Sequence, residues 1–244
     1  MKLLLVNDDG IESEGILALA RRLSPQHEIV VVAPMYNQSA KGHSSTFGDL
    51  SFENRGTDGT VRYYAVNGTP SDCTRFALCY LKYAPDLVIS GINDGVNIGY
   101  DVWFSGTVGA AIEANFFHIP AIALSVYHLK YSDSRPVIFS YALDYIESHL
   151  DRLYHMIQGT NTTLNINVPM NDFIGQKICP LADSKYDAWY DEGKPLNVHM
   201  WQDFNENNHV GADIYYAQQG YVTLTPLKVN VSNMELIQLW NKQK

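Results

Sequence analysis

Positive charge is scarce in this chain. Its 244 residues carry 17 Lys and Arg against 26 Asp and Glu, a formal net charge of −9, and only 18% of positions are charged. An ordinary soluble chain is about 25% charged. So few cations cannot build the broad basic face that grips a nucleic-acid backbone, and a nucleic-acid polymer is excluded as a partner. Long apolar runs are missing too: stretches such as residues 3–6 and 29–33 reach only four or five residues, whereas a membrane helix needs roughly 20. No membrane partner is expected. Cysteine is limited to Cys73, Cys79 and Cys179, with no CxxC pair, which leaves neither a disulfide framework nor a zinc site. The few residues ahead of Asn7-Asp8-Asp9 are too short a run for the hydrophobic stretch of a secretory signal, so the chain reads as cytoplasmic.

What is present is a core. With 46% hydrophobic residues, a chain of this length can bury roughly 70% of its unfolded surface. Residues 3–6 form a short apolar run closed by Asn7-Asp8-Asp9-Gly10, after which Ile16, Leu19, Ala20 and Leu23 recur at helical spacing. The continuous β-branched run 29–33 reads as a strand buried on both faces. A polar, Gly/Ser-rich stretch from 37 to 59, with weak alternation around Leu50 and over 61–66, predicts a long loop or hairpin. Thr69-Pro70-Ser71-Asp72 is a capping box with Pro at the first helical position, followed by Cys73, Phe76, Ala77 and Tyr80 as the buried stripe.

Further along, 86–90 reads as a strand, and a helix presents Val108, Ala111, Ile112 and Phe116. Strand 121–125, a helix over about 137–153 and strand 163–168 follow. This alternation predicts an α/β fold, a doubly wound, mostly parallel Rossmann-like sheet. After about Gly175 the texture turns to Asp, Asn, Trp and Tyr, either an extended hairpin or an oligomer contact, before strand 221–225 and a last helix announced by Ser232 and Glu235. We therefore expect one domain over 1–244, an α/β core over about 1–170, and a C-terminal extension over about 175–244 serving oligomerisation.

Ligands of open parallel sheets bind beyond the carboxyl ends of the strands. Asp8 and Asp9 follow the first strand, Ser39 lies past the second, and Asn93 follows the third, so four oxygen-bearing side chains can converge there. Hard oxygen ligands suit Mg²⁺, Mn²⁺ or Ca²⁺ better than zinc. Taken alone, Asp-Asp-Gly is a turn with a helix cap. A turn needs only one Asp, however, and paired carboxylates repel unless a cation or proton intervenes. Asn93-Asp94-Gly95 has the same turn reading, and spacing alone does not make Asn93 a ligand.

Ser105-Gly106-Thr107 opens a helix with small residues and hydroxyls, which forms either a phosphate cradle or a plain N-cap. Neither a P-loop nor the dinucleotide fingerprint is present. Among eight histidines, His43 alone lies in the polar loop near Asp8 and Ser39, placed either as a general acid or as a solvated loop histidine. His118 reads as structural, and His128, His149, His155, His199 and His209 show no ligand spacing.

Five motifs in order carry a resemblance. Val6-Asn7-Asp8-Asp9-Gly10-Ile11, Val31-Val32-Ala33-Pro34 with Ser39, Asn67-Gly68-Thr69-Pro70-Ser71-Asp72-Cys73, Ser90-Gly91-Ile92-Asn93 with Gly95-Val96-Asn97-Ile98-Gly99, and Asp101-Val102 through Ser105-Gly106-Thr107-Val108-Gly109-Ala110-Ala111 together resemble the SurE family, the stationary-phase survival protein. The resemblance implies a metal-dependent phosphatase that hydrolyses nucleoside 5′-monophosphates, with 3′-monophosphates and short polyphosphate as further substrates, by a metal-activated water. It places one divalent cation, Mg²⁺ or Mn²⁺, on Asp8, Asp9, Ser39 and Asn93, and selects Asn93 over Asp94.

Asp8, Asp9 and His43 are the catalytic candidates. The substrate phosphate falls on Ser105, Gly106, Thr107 and Asn97. A homodimer or homotetramer that exchanges C-terminal segments is also implied. Met35, Tyr36 and Ala40 depart from the family's usual residues after Ala33-Pro34, with Lys41 the nearest basic replacement, which makes substrate preference less secure than reaction class. The alternatives are a non-catalytic nucleotide-binding sensor or an oligomeric scaffold.

Overall fold

The computed structural model describes residues 1–127, 138–193 and 197–242. Nine strands form one sheet in the order β3-β4-β2-β1-β5-β6-β7-β11-β8. They are β1 (Lys2–Val6), β2 (Glu28–Pro34), β3 (Phe52–Asp58), β4 (Val61–Val66), β5 (Leu87–Asp94), β6 (Ala121–Tyr127), β7 (Thr162–Pro169), β8 (Gln176–Ile178) and β11 (Val222–Lys228). The run from β4 to β7 is parallel throughout. Only β3 on β4 and β11 on β7 are antiparallel.

Pleating divides the strand side chains between two cores. Leu3 and Leu5 join Ile29 and Val31 on one face, under α1 (Glu14–Leu23) and α5 (Ser140–Ile157). Leu4 and Val6 join Val30 and Val32 on the other, under α2 (Pro70–Arg75) and α4 (Gly106–Phe116). The fold is a doubly wound α/β sheet with helices on both faces. Because β1 leads outward to β2 on one side and borders β5 on the other, the chain reverses direction between β1 and β5. A crevice opens beyond their carboxyl ends at such a reversal.

The capping box at Thr69 forms: its hydroxyl accepts from the Asp72 amide, and the Asp72 carboxylate accepts from the Thr69 amide. Cys73, Phe76 and Ala77 are buried as expected, but Tyr80 is 63% exposed. The helix widens to a π turn over Phe76–Tyr80, which rotates Tyr80 off the stripe and onto Phe76 and Phe52. On α4, Val108 and Ala111 are buried, while Phe116 is 52% exposed at the last turn and packs on the His43 ring. The last helix, α7 (Met234–Asn241), is capped by Asn233, not Ser232, because the Asn233 carboxamide accepts from the Leu236 amide.

The stretch after Gly175 contains the hairpin β9 (Tyr186–Asp191) and β10 (Asn197–Gln202), paired as a separate two-stranded sheet. It also holds α6 (Asp213–Gln218). His128 and the expected start of the fifth helix at 137 lie outside the described residues. Among those described, no helix is long and apolar enough to cross a membrane.

Candidate active site

The loop after β1 is organised by Asn7. Its carboxamide donates to the Gly10 carbonyl (3.0 Å) and the Ser13 hydroxyl, and accepts from the Gly10 amide (3.2 Å). The turn is therefore made without the two aspartates that follow. Asp8 is 4% exposed, and its carboxylate accepts from the Thr107 hydroxyl. The Gly106 and Thr107 amides at the start of α4 also point to it, while burial pushes its pKa up. A Cβ on Gly106 would stand 2.8 Å from Asp8 Cβ, so only glycine lets the helix terminus come this close.

Asp9 is lifted to a pKa of about 6, first by burial and then by the like charges of Asp8 and Asp94, while the Asp94 amide donates to it. The loops after β1 and β5 thus meet carboxylate to carboxylate. Asn93 donates through Nδ2 to the Gly95 carbonyl (2.7 Å), which leaves its Oδ1 as the acceptor end. Ser39 follows Gln38, whose amide donates to the Asp8 carbonyl (2.7 Å), and its own amide donates to Asn37 Oδ1 (3.0 Å). The loops that carry these four residues, after β1, β2 and β5, thus meet at the crevice. Negative charge crowded into a desolvated site is the condition a divalent cation relieves. Among the described residues, no cluster of three or more His, Cys, Asp and Glu is placed to hold a metal. A set with two carboxylates, a hydroxyl and an amide is of a different composition, and its chemistry fits a hard cation.

Two residues singled out in the sequence are engaged by other partners. His43 Nε2 pairs with Glu113 Oε2 at 2.7 Å. Glu113 lies seven positions along α4 from Gly106, roughly 10 Å by helical rise. Glu113 also accepts from Arg75 Nε (2.9 Å), and His43 borders an apolar cleft of about 780 Å³ with Phe116, Ile178 and Leu227. Asn97 is 5% exposed. Its amide donates to Asn167 Oδ1, its Nδ2 donates to Ser125 Oγ, and its carbonyl accepts from Asn165 and Asn167. It ties the loop to β6 and β7. Ser105 caps α4, its hydroxyl accepting from the Val108 amide (3.0 Å).

A chain with this order of strands, this crevice and these carboxylates can be compared with known proteins. The family model described as Survival protein SurE matches residues 3–188. This chain belongs to the SurE family. It is 37% identical over 251 residues to the 5′-nucleotidase SurE of Clostridium botulinum (strain 657 / Type Ba4), covering 98% of this chain and 97% of the relative. Its identity to the 5′-nucleotidase SurE of Clostridium beijerinckii is 36%, over 97% and 96% of the two chains. The crystal structure of the SurE protein from Aquifex aeolicus superposes with a TM-score of 0.80 at 30% identity, covering 98% of this chain and 97% of that one.

In this SurE chain, the sequence did not single out Asn7 or a second carboxylate pair, Asp101 and Asp213, and Asp94 was set aside in favour of Asn93. Asp213 is fully buried and accepts from the Gly99, Ala182 and Ile214 amides at 2.8 to 2.9 Å. Asp101, in the short helix α3 (Asp101–Phe104), is pushed up to a pKa of about 7 by burial and by Asp213, against a lowering hydrogen bond to Gln202. Its folded pKa lies above the ordinary aspartate value of 3.8, so the folded state holds a proton that the unfolded state releases. The resulting stability is complete below about pH 4 and is lost as pH rises through about 7. In EDTA, the urea midpoint should therefore fall between pH 5 and pH 8. Asp101→Asn should flatten that slope and raise the midpoint at pH 8, and an unchanged slope contradicts the assignment.

Proposed function

We propose that this chain is a metal-dependent 5′-nucleotidase that hydrolyses nucleoside 5′-monophosphates, with 3′-monophosphates and short polyphosphate as further substrates. The observation that carries the reading is the convergence of Asp8 and Asp9 with the N-terminus of α4 at the sheet's topological switch. The similarity to chains named 5′-nucleotidase over nearly the full length supports the substrate class.

Asp8, Asp9, Ser39 and Asn93 would hold one divalent cation, Mg²⁺ or Mn²⁺. Bound there, the cation supplies Lewis-acid polarisation of the phosphoryl oxygens and a water of lowered pKa. The chain's own residues prepare the site for this. Asn7 fixes the loop so that both carboxylates face the crevice. The Thr107 hydroxyl and the Gly106 and Thr107 amides favour the ionised form of Asp8, opposing the larger upward push of burial. A substrate phosphate entering beside Ser105, Gly106 and Thr107 would share those amides with Asp8, placing positive helix-end charge on the equatorial oxygens. Asn97 supports the loop from behind. His43 remains a candidate general acid only if its loop swings away from Glu113, and Glu113→Gln is the change that would release it.

Homo-oligomerisation through the C-terminal extension is part of the same reading. Support comes from α7, whose Leu236, Ile237, Leu239 and Trp240 are all exposed, an apolar face that a partner subunit would cover.

Phosphate release from nucleoside 5′- and 3′-monophosphates and from short polyphosphate, each with Mg²⁺, Mn²⁺ or EDTA, tests the proposal. The expected order is 5′-monophosphates first, with all activity lost in EDTA. Nucleotide binding without any phosphate release would instead favour a sensor.

A further inference from the structure

Phe104 and Tyr186 form an aromatic surface that phosphate chemistry does not use. Their ring centroids lie 5.7 Å apart at an interplanar angle of 24°. Phe104 is 37% exposed and Tyr186 38%, so a stacked pair of rings keeps apolar surface in water. Phe104 is the last residue of α3 and immediately precedes Ser105, the cap of α4.

Both rings are carried on fixed backbone. The Phe104 carbonyl accepts from the Gly42 amide at 2.8 Å. Tyr186 pairs in register with Gln202 at the base of the β9–β10 hairpin. Gln202 is in turn anchored to the site loop: its Oε1 accepts from the Tyr100 amide and the Ser184 hydroxyl, and its Nε2 donates to the Ile98 carbonyl. The adjacent Trp103 has another role in the fold, since it lines the apolar cleft with His43.

A half-exposed aromatic pair beside a turn rich in amide donors complements a ligand that is anionic at one end and a flat π-system at the other. We infer that Phe104 and Tyr186 are the base-stacking platform of the nucleotide site, so that the C-terminal extension contributes to substrate selection. The inference rests on the proposed nucleotidase reading for the phosphate end. Stacking uses the π-face that every base has, so the platform accepts all bases and favours the larger purines by contact area, without hydrogen-bond readout.

Calorimetric binding of adenosine 5′-monophosphate and of ribose 5-phosphate, both in EDTA, isolates the base from turnover. The wild type should bind the nucleotide roughly 5- to 150-fold more tightly than the sugar phosphate, the range of one base–aromatic stack. Phe104→Ala and Tyr186→Ala should each remove most of that ratio, and Tyr186→Phe should restore it. A ratio of one in the wild type, absence of binding by both ligands, or a ratio that survives both alanine variants overturns the platform. Phosphate release in Mn²⁺ is scored separately, so loss of the platform and loss of the nucleotidase reading are distinguishable.

Discussion

Asp8→Asn abolishes phosphate release and leaves the protein at least as stable as the wild type. Both halves of this expected result come from the same burial. Asp8 is 4% exposed, and its carboxylate is disfavoured by desolvation, with only the Thr107 hydroxyl and nearby amides favouring the charge. A carboxyl whose folded pKa is raised lowers folding stability at any pH above its unfolded value, and neutral pH is above it. Asparagine keeps the size and an acceptor oxygen for Thr107 but discards the charge. In EDTA its thermal midpoint should equal or exceed that of the wild type.

The charge is what a hard cation binds, however, so Mn²⁺ affinity should fall together with turnover. Loss of a supporting residue around a metal typically lowers affinity or activity by about 10- to 100-fold, and loss of a direct ligand should exceed that. Calorimetric Mn²⁺ titration, phosphate release and thermal melts check the three parts. A variant that melts early would make Asp8 a structural residue, and one that retains turnover would remove it from the site.

Gly106→Ala should be nearly as damaging, for a steric reason. The added Cβ would lie 2.8 Å from Asp8 Cβ and 3.0 Å from both Asp8 Oδ2 and Pro70 Cγ. These contacts are with packed side chains: Asp8 at the end of β1, and Pro70 at the start of α2. The first turn of α4 must then move away from Asp8, taking the Gly106 and Thr107 amides and the Thr107 hydroxyl with it. Overpacking of this kind costs about 1–3 kcal/mol. The same shift strips Asp8 of the donors that favour its ionised form, so its pKa should rise further and the pH profile of turnover should move to higher pH. An unchanged pH profile together with a wild-type melting temperature would mean that the close approach of helix and carboxylate has no catalytic consequence.

Much of this arrangement was legible in the residues. The apolar runs at 3–6 and 29–33 and the helical spacing of Ile16, Leu19, Ala20 and Leu23 mark strand, helix and strand, because short continuous runs suit strands buried on both faces and the set between them repeats at helical spacing. The capping box at Thr69 was equally legible, since its hydrogen bonds are local. What escaped detection depends on distant contacts. Nothing near Phe76 marks the π turn that exposes Tyr80, nor does the sequence near His43 indicate Glu113, 70 residues away, as its partner. The Asp101 and Asp213 pair spans two segments that only the fold brings together. Asn7 was within reach, since an Asn at a strand end followed by Asp-Asp-Gly is a turn former in its own right.

The most direct measurement is phosphate release from adenosine 5′-monophosphate by protein stripped with EDTA and then titrated with Mn²⁺ or Mg²⁺, comparing the wild type with Asp9→Asn. Asp9 owes its raised pKa to burial and to Asp8 and Asp94, a crowding of charge that a cation would neutralise. The account predicts no release after stripping, restoration that saturates at one cation per chain in the wild type, and no restoration in Asp9→Asn. Release that persists in EDTA, or that returns fully in Asp9→Asn, would contradict a metal-dependent site built on this carboxylate pair.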